Sequence, residues 1–121
     1  MQYLHDELSI VHRDLKHENI LMGLKSPDPY NEDERQPMVK VADFTTAFVM
    51  PADNPDFKIQ TKAGTLAFNA PEQFKEAEYY PKPLDVWSYG ISLYVYLTNC
   101  LPYQSHGEGD LEDEIVGLDA P

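Results

Sequence analysis

The stretch that decides the reading is His12-Arg13-Asp14-Leu15-Lys16-His17-Glu18-Asn19, followed directly by Ile20-Leu21-Met22. Its first eight residues mix apolar and charged side chains without a helical or strand period, as a functional loop does. The three after it read as a short strand. Taken singly, its polar residues have ordinary explanations. Asp14 beside Arg13 suits a surface ion pair, and Asn19 suits a turn. Their order and company, not any one of them, carry information.

Upstream, Met1, Leu4, Leu8 and Val11 lie three or four apart, which predicts the last turns of an amphipathic helix ending at Val11. The stripe is already running at the first residue, and we expect the chain to begin inside an element. Downstream, Val39-Lys40-Val41-Ala42 is a second strand-like run, and Asp43 follows it. Between the two strands, residues 23–38 carry Pro27, Pro29 and Pro37 and several acids. They read as a polar hairpin insertion, either a long connection or a locally disordered segment. Ser26-Pro27 within it is either an exposed turn or a modification site.

Asp43 to Glu72 is a long irregular segment with turn signals at Pro51, Asn54-Pro55, Gly64 and Pro71. Segments of this length inside a domain are usually functional. Pro83 to Asn99 predicts the clearest helix, with a proline in its first turn and Asp85 near its positive end. Leu84, Val86, Trp87, Ile91, Leu93, Tyr94, Val95 and Leu97 leave it little polar face, so it is expected to be surrounded by protein. Leu111, Ile115 and Leu118 predict a further helix.

Composition narrows the classes. The 121 residues, 13.8 kDa, make one small domain or part of one. Nine basic and 21 acidic residues give a net charge of −12, which argues against nucleic acid or an anionic membrane as the main partner. Cys100 is the only cysteine, so an intrachain disulfide is excluded and a cytoplasmic or nuclear, non-secreted setting is the default. Its apolar neighbours predict a buried thiol. No stretch is long and apolar enough to read as a membrane span, and the acidic start does not read as a secretory signal.

The loop resembles the catalytic loop of the eukaryotic protein kinases, H-R-D-L-x-x-x-N. Further matches follow in the family's order: Asp43-Phe44, Gly64-Thr65, Ala70-Pro71-Glu72 and Asp85-Val86-Trp87-Ser88-Tyr89-Gly90. The resemblance implies an α+β, protein kinase-like fold over residues 1–121. It would be mainly the helical C-lobe with a short β-hairpin, and the N-lobe would be absent. It implies transfer of the ATP γ-phosphate to protein serine or threonine hydroxyls, with Mg²⁺.

By that resemblance, Asp14 accepts the substrate hydroxyl's proton, and Lys16 neutralises charge on the transferring phosphoryl group. Asn19 and Asp43 offer the oxygen donors that Mg²⁺ prefers. Leu21 forms an apolar floor under the adenine with Ala42 nearby. Glu18, beside the nucleotide side of the site, resembles a position that can read a basic residue of the substrate. Arg13 before the catalytic acid implies a switch through a phosphate on the activation segment, with Thr61 as candidate acceptor and Lys58 and Lys62 adding positive charge. An unmodified loop threonine is the alternative for Thr61. Thr65 matches the hydroxyl that reaches the catalytic acid and lysine, and Asp85 the acid that holds the catalytic-loop backbone. His12 matches a packing residue, not a proton carrier. The hairpin and the run Gly64 to Glu72 look similar to the calmodulin-dependent kinase kinases.

Two departures stand out. Asp43-Phe44-Thr45 has a stiff β-branched residue where the family has glycine. The sequence also contains no Gly-rich phosphate loop and no strand lysine of the V-A-I-K type. The expected partners are therefore a protein substrate and a segment that supplies the N-lobe, without which this chain alone is expected to be inactive. The alternative function is a pseudokinase-like module that binds a partner without catalysis.

Overall fold

Two antiparallel β-pairs carry the loops, and one long helix receives them. The computed structural model describes residues 1–25, 35–54, 56–103 and 108–118. A π-helical turn, Tyr3–Glu7, leads into β1, Ile10–Val11. A 3₁₀ turn, His17–Asn19, opens β2, Ile20–Lys25, which pairs with β3, Gln36–Val41. β4, Phe48–Val49, returns to pair with β1. After the irregular segment come a 3₁₀ turn, Leu66–Phe68, and the helices α1, Glu72–Lys75, α2, Pro81–Thr98, and α3, Glu108–Leu118.

The expected helix across residues 1 to 11 is corrected. It ends at Glu7, and Val11 lies in a strand opposite Phe48. The residue that this turn buries is His5, while Met1 and Leu8 stay exposed. A buried partner for His5, described below, outweighs the leucine spacing.

The strands of the hairpin are longer than the expectation. Their ladder runs from Ile20 opposite Val41 to Lys25 opposite Gln36, so residues 23–25 and 36–38 belong to strands. Backbone pairing carries through despite Pro37, because in a two-stranded sheet a residue without an N–H can turn that side outward. Ser26-Pro27 and the acids that follow it lie outside the described residues.

α2 starts two residues earlier than expected, at Pro81. Its first-turn N–H groups have no intrahelical acceptor in any helix, so Pro81 and Pro83 both sit there without loss. Asn99 ends the helix in the left-handed region, φ 56°. The expectation that protein surrounds α2 is not met. Its buried stripe is Leu84, Asp85, Ser88, Ile91 and Ser92. Val86, Tyr89, Leu93, Tyr96 and Leu97 are exposed, Tyr96 to 81%. The polar residues can face inward because each finds backbone partners. Asp85 takes loop N–H groups, as described below; the Ser88 hydroxyl lies 2.9 Å from both the Phe68 and the Leu84 carbonyl oxygens, while the Ser92 hydroxyl donates within the helix to the Ser88 carbonyl oxygen at 2.8 Å and lies 3.4 Å from that of Leu15. Cys100, expected to be buried, is exposed just past the helix end.

The apolar core has two parts. Ile59, Ala70, Tyr79 and Leu84 form one. Phe68, Ile91, Tyr103 and Ile115 form the other. Trp87 packs against both and joins them. Ile115 supplies the fully buried contact of α3, as its spacing from Leu111 predicts.

Candidate active site

The catalytic-type loop hangs on α2. The carboxylate of Asp85, fully buried, accepts the backbone N–H groups of His12 at 2.9 Å and Arg13 at 2.8 Å. The His5 ring nitrogen Nε2 lies 2.8 Å from the same carboxylate. Asp85 is therefore an anchor for the loop rather than a neutraliser of the helix end. Arg13 adopts a left-handed backbone, φ 66°, which this pair of bonds holds in place.

His12 is fully buried and bonds backbone at both ring nitrogens. Nε2 donates to the carbonyl oxygen of Ala42 at 2.9 Å, and Nδ1 accepts the Asp14 N–H at 3.3 Å. The carbonyl can only accept, so it fixes the tautomer with hydrogen on Nε2. This ring ties the loop to the end of β3, and Phe44 packs edge-on against it.

Four side chains converge beyond it. Asp14 Oδ1 accepts both the backbone N–H of Thr65, at 2.8 Å, and its hydroxyl, at 2.7 Å. Lys16 Nζ lies 3.1 Å from Asp14 Oδ2 and donates to the Thr65 hydroxyl oxygen at 2.7 Å. Asn19 Nδ2 donates to the Asp14 carbonyl oxygen at 2.9 Å and reaches Oδ2 at 3.4 Å. Asp14 is 9% exposed. Burial pushes its carboxyl up, but the Thr65 hydroxyl and Lys16 outweigh that, and it lies below the ordinary 3.8.

The hairpin brings Asp43 to this cluster. Ala42 donates its N–H to the Asn19 carbonyl oxygen at 2.8 Å, so Asp43 emerges one residue beyond Asn19's partner. Asp43 is exposed and has a left-handed backbone, φ 60°. Bonds from the Thr45 hydroxyl and N–H hold its carboxyl low, against an upward push from burial and from the charge of Asp14. The described residues contain no cluster of three or more His, Cys, Asp or Glu suited to a metal. Asn19 and Asp43 carry the hard oxygen donors that Mg²⁺ prefers, and the Ile20–Val41 pairing with the Ala42–Asn19 bond sets the two residues at the same end of the hairpin.

The remaining sequence candidates divide. Arg13 meets Thr61: Nη1 donates to the Thr61 hydroxyl oxygen at 3.1 Å, and Nε to the Thr46 carbonyl oxygen at 2.6 Å. Lys58 and Lys62 lie over the rings of Tyr80 and Phe74, and neither bonds Thr61. Leu21 is exposed on β2. Glu18 pairs with His17 at 3.1 Å on the exposed side and makes no bond to the Asp14 cluster. Sequence reasoning did not reach His5 or the Thr46 hydroxyl, which donates to the His12 carbonyl oxygen at 3.0 Å. Neither residue had a local signal: His5 meets a carboxylate 80 positions away, and Thr46 acts on loop backbone.

The protein kinase domain family matches residues 1–118. Ribosomal protein S6 kinase alpha-4 of Homo sapiens is 36% identical over 110 residues, which cover 90% of this chain and 13% of that protein. A putative ribosomal protein S6 kinase alpha-1 of Caenorhabditis elegans is 35% identical over 116 residues, covering 96% of this chain and 13% of that protein. The serine/threonine-protein kinase ppk24, mitochondrial, of Schizosaccharomyces pombe is 39% identical over 105 residues, covering 84% and 20%. The chain thus spans a fifth or less of the length of these curated relatives. With the family match running from the first residue to the end of α3, the chain belongs to the protein kinase domain family.

Proposed function

We propose that this chain is the catalytic-loop and activation-segment portion of a serine/threonine protein kinase, corresponding to the C-lobe. The observation that carries the reading is the single bonded cluster of Asp14, Lys16, Asn19 and Thr65, with Asp43 beside it. ATP with Mg²⁺ supplies the transferable phosphoryl group and neutralises its charge. Asp14 orients the substrate hydroxyl and accepts its proton on its carboxylate. Lys16 bridges Asp14 and Thr65 and places one positive charge where negative charge develops. Asn19 and Asp43 would hold Mg²⁺. Thr65 links the substrate-binding segment to the catalytic acid, a link that supports serine/threonine rather than tyrosine acceptors.

This reading requires a Gly-rich loop and a strand lysine, which the sequence does not contain. A segment that supplies them is the expected partner, and the exposed apolar face of α2 supports a need for cover. The finer grouping with calmodulin-dependent kinase kinases rests only on the hairpin and the run Gly64 to Glu72. The alternative, a pseudokinase-like module that binds a partner without catalysis, is favoured by Thr45 and by the lack of a Gly-rich loop and strand lysine in the sequence; Thr45 itself fits without strain, its φ lying outside the left-handed region.

The test is Asp14→Asn in the full-length protein, with labelled phosphate transferred from ATP to a serine peptide. The expected loss is about 10²- to 10⁴-fold in rate. A variant as active as wild type removes Asp14 from the mechanism.

A further inference from the structure

We propose that the cavity beside His5 binds a small, neutral, planar aromatic ring that carries one hydrogen-bond donor, of the indole or phenol class. The inference does not rest on the catalytic reading, because the cavity lies outside the Asp14 cluster. It forms where the N-terminal turn, the segment after β4 and the start of α2 meet, and its volume is about 450 Å³. Small-molecule sites commonly enclose about 300–1,000 Å³.

The walls suit a flat apolar ring. Phe57 and Tyr80 line the cavity together with Pro51, Pro81 and Pro83. Two aromatic rings and three prolines offer broad C–H and π surface with few polar atoms. The charged groups at the cavity are Asp6 and Lys82, and they pair with each other at 2.8 Å. Their charges cancel, which favours a neutral ligand over an ionic one.

His5 supplies the selective contact. Its side chain lines the cavity, and the residue is only 7% exposed. Nε2 lies 2.8 Å from the Asp85 carboxylate, which also takes the backbone N–H groups of His12 and Arg13. A carboxylate can only accept, so the hydrogen sits on Nε2, and Nδ1 of the neutral ring is an acceptor. Nδ1 bonds nothing among the described residues. Nor is it sealed in, for the fully buried side-chain polar atoms without a partner among those residues are the Tyr79 hydroxyl and the Trp87 N–H. A nearly buried acceptor without a partner selects a donor, because a ring lacking one would strip its water and give nothing back.

The experiment uses the full-length protein with carbon-13 in its methionine methyl groups. Met50 lines the cavity and is the reporter, its signal identified by its loss in Met50→Leu. A saturating non-hydrolysable ATP analogue keeps the probes out of any nucleotide site. Indole is expected to shift the Met50 methyl signal. Benzofuran, of the same shape but without the N–H, is expected to bind about three- to ten-fold more weakly. N-acetyltryptophan amide tells a free ring from one carried on a chain. Tighter binding than indole assigns the cavity to a protein side chain, and weaker binding to a free ligand. Ala52→Trp, at an exposed position of the wall, is expected to fill the cavity and abolish the indole shift. Equal affinity for benzofuran and indole overturns the role of His5 and the ligand class. No indole shift at Met50, or a shift that survives in Ala52→Trp, overturns the site.

Discussion

A β-carbon at Gly64 would lie 2.3 Å from the carbonyl oxygen of Arg13. The activation segment and the catalytic loop touch there backbone to backbone, next to the Thr65–Asp14 bonds. Gly64 also has φ +98°, a conformation that side chains rarely adopt. Gly64→Ala should therefore destabilise the protein by about 2 kcal/mol or more, from strain and from the forced separation. Urea unfolding would measure it. A midpoint unchanged from wild type would show that the two segments can part without loss.

Thr65 holds Asp14 through two bonds, of which only one uses the side chain. Thr65→Val keeps the amide bond and the shape, and removes the hydroxyl from both Asp14 and Lys16. We expect kcat to fall about tenfold with little change in the KM for ATP, and Thr65→Ser to recover most of the rate. Steady-state kinetics distinguish this from a folding defect, which would lower the active fraction in both variants.

Arg13 already reaches the Thr61 hydroxyl, so a phosphate there would meet a guanidinium without a large movement. Phosphorylated Thr61 should raise the melting temperature by a few degrees in the wild type, through about one to three new charge-assisted bonds. In Arg13→Ala the gain should vanish. Calorimetry on phosphorylated and unphosphorylated protein tests this, and an equal gain in both backgrounds would remove Arg13 as the phosphate's partner.

Tyr103 is buried with its hydroxyl donating to the Ala67 carbonyl oxygen, and burial pushes its pKa up to about 12 from 10.0. A raised acid is stabilising in its protonated state. Its contribution is complete below pH 10 and is lost as pH rises through about 12. Asp14 works in the opposite sense. Its lowered carboxyl stabilises the fold above pH 3.8 and stops doing so as pH falls through its depressed value. The check is urea stability against pH. Tyr103→Phe should flatten the curve between pH 10 and 12, and Asp14→Asn should flatten it below pH 3.8.

Much of the site was legible because its chemistry lies in identities at fixed spacing. Asp14, Lys16 and Asn19 occupy one loop, and no other reading explains them together with Asp43 and Gly64-Thr65. The hairpin that joins Asn19 to Asp43 followed from two strand-like runs with a connection between them. Boundaries were less legible. Leucine spacing at the start pointed to a helix through Val11, while a buried histidine and a strand partner prevailed. The hydrophobicity of α2 suggested a surrounded helix, yet Asp85, Ser88 and Ser92 share its buried face with Leu84 and Ile91 while Val86, Leu93 and Tyr96 stay exposed.

The order of residues alone determined the family, the candidate catalytic and metal-binding positions, and the exclusion of a disulfide scaffold. These depend on which groups are present and how far apart they stand along the chain. Tertiary structure decided what the resemblance had not named: that the Thr46 hydroxyl bonds the His12 carbonyl oxygen across 34 positions, and that Arg13 bonds the Thr46 carbonyl oxygen across 33. Such contacts satisfy buried backbone groups of irregular segments, and those groups are the same in every residue. No pattern of side chains announces where an N–H will find its acceptor, so only the folded chain could show it.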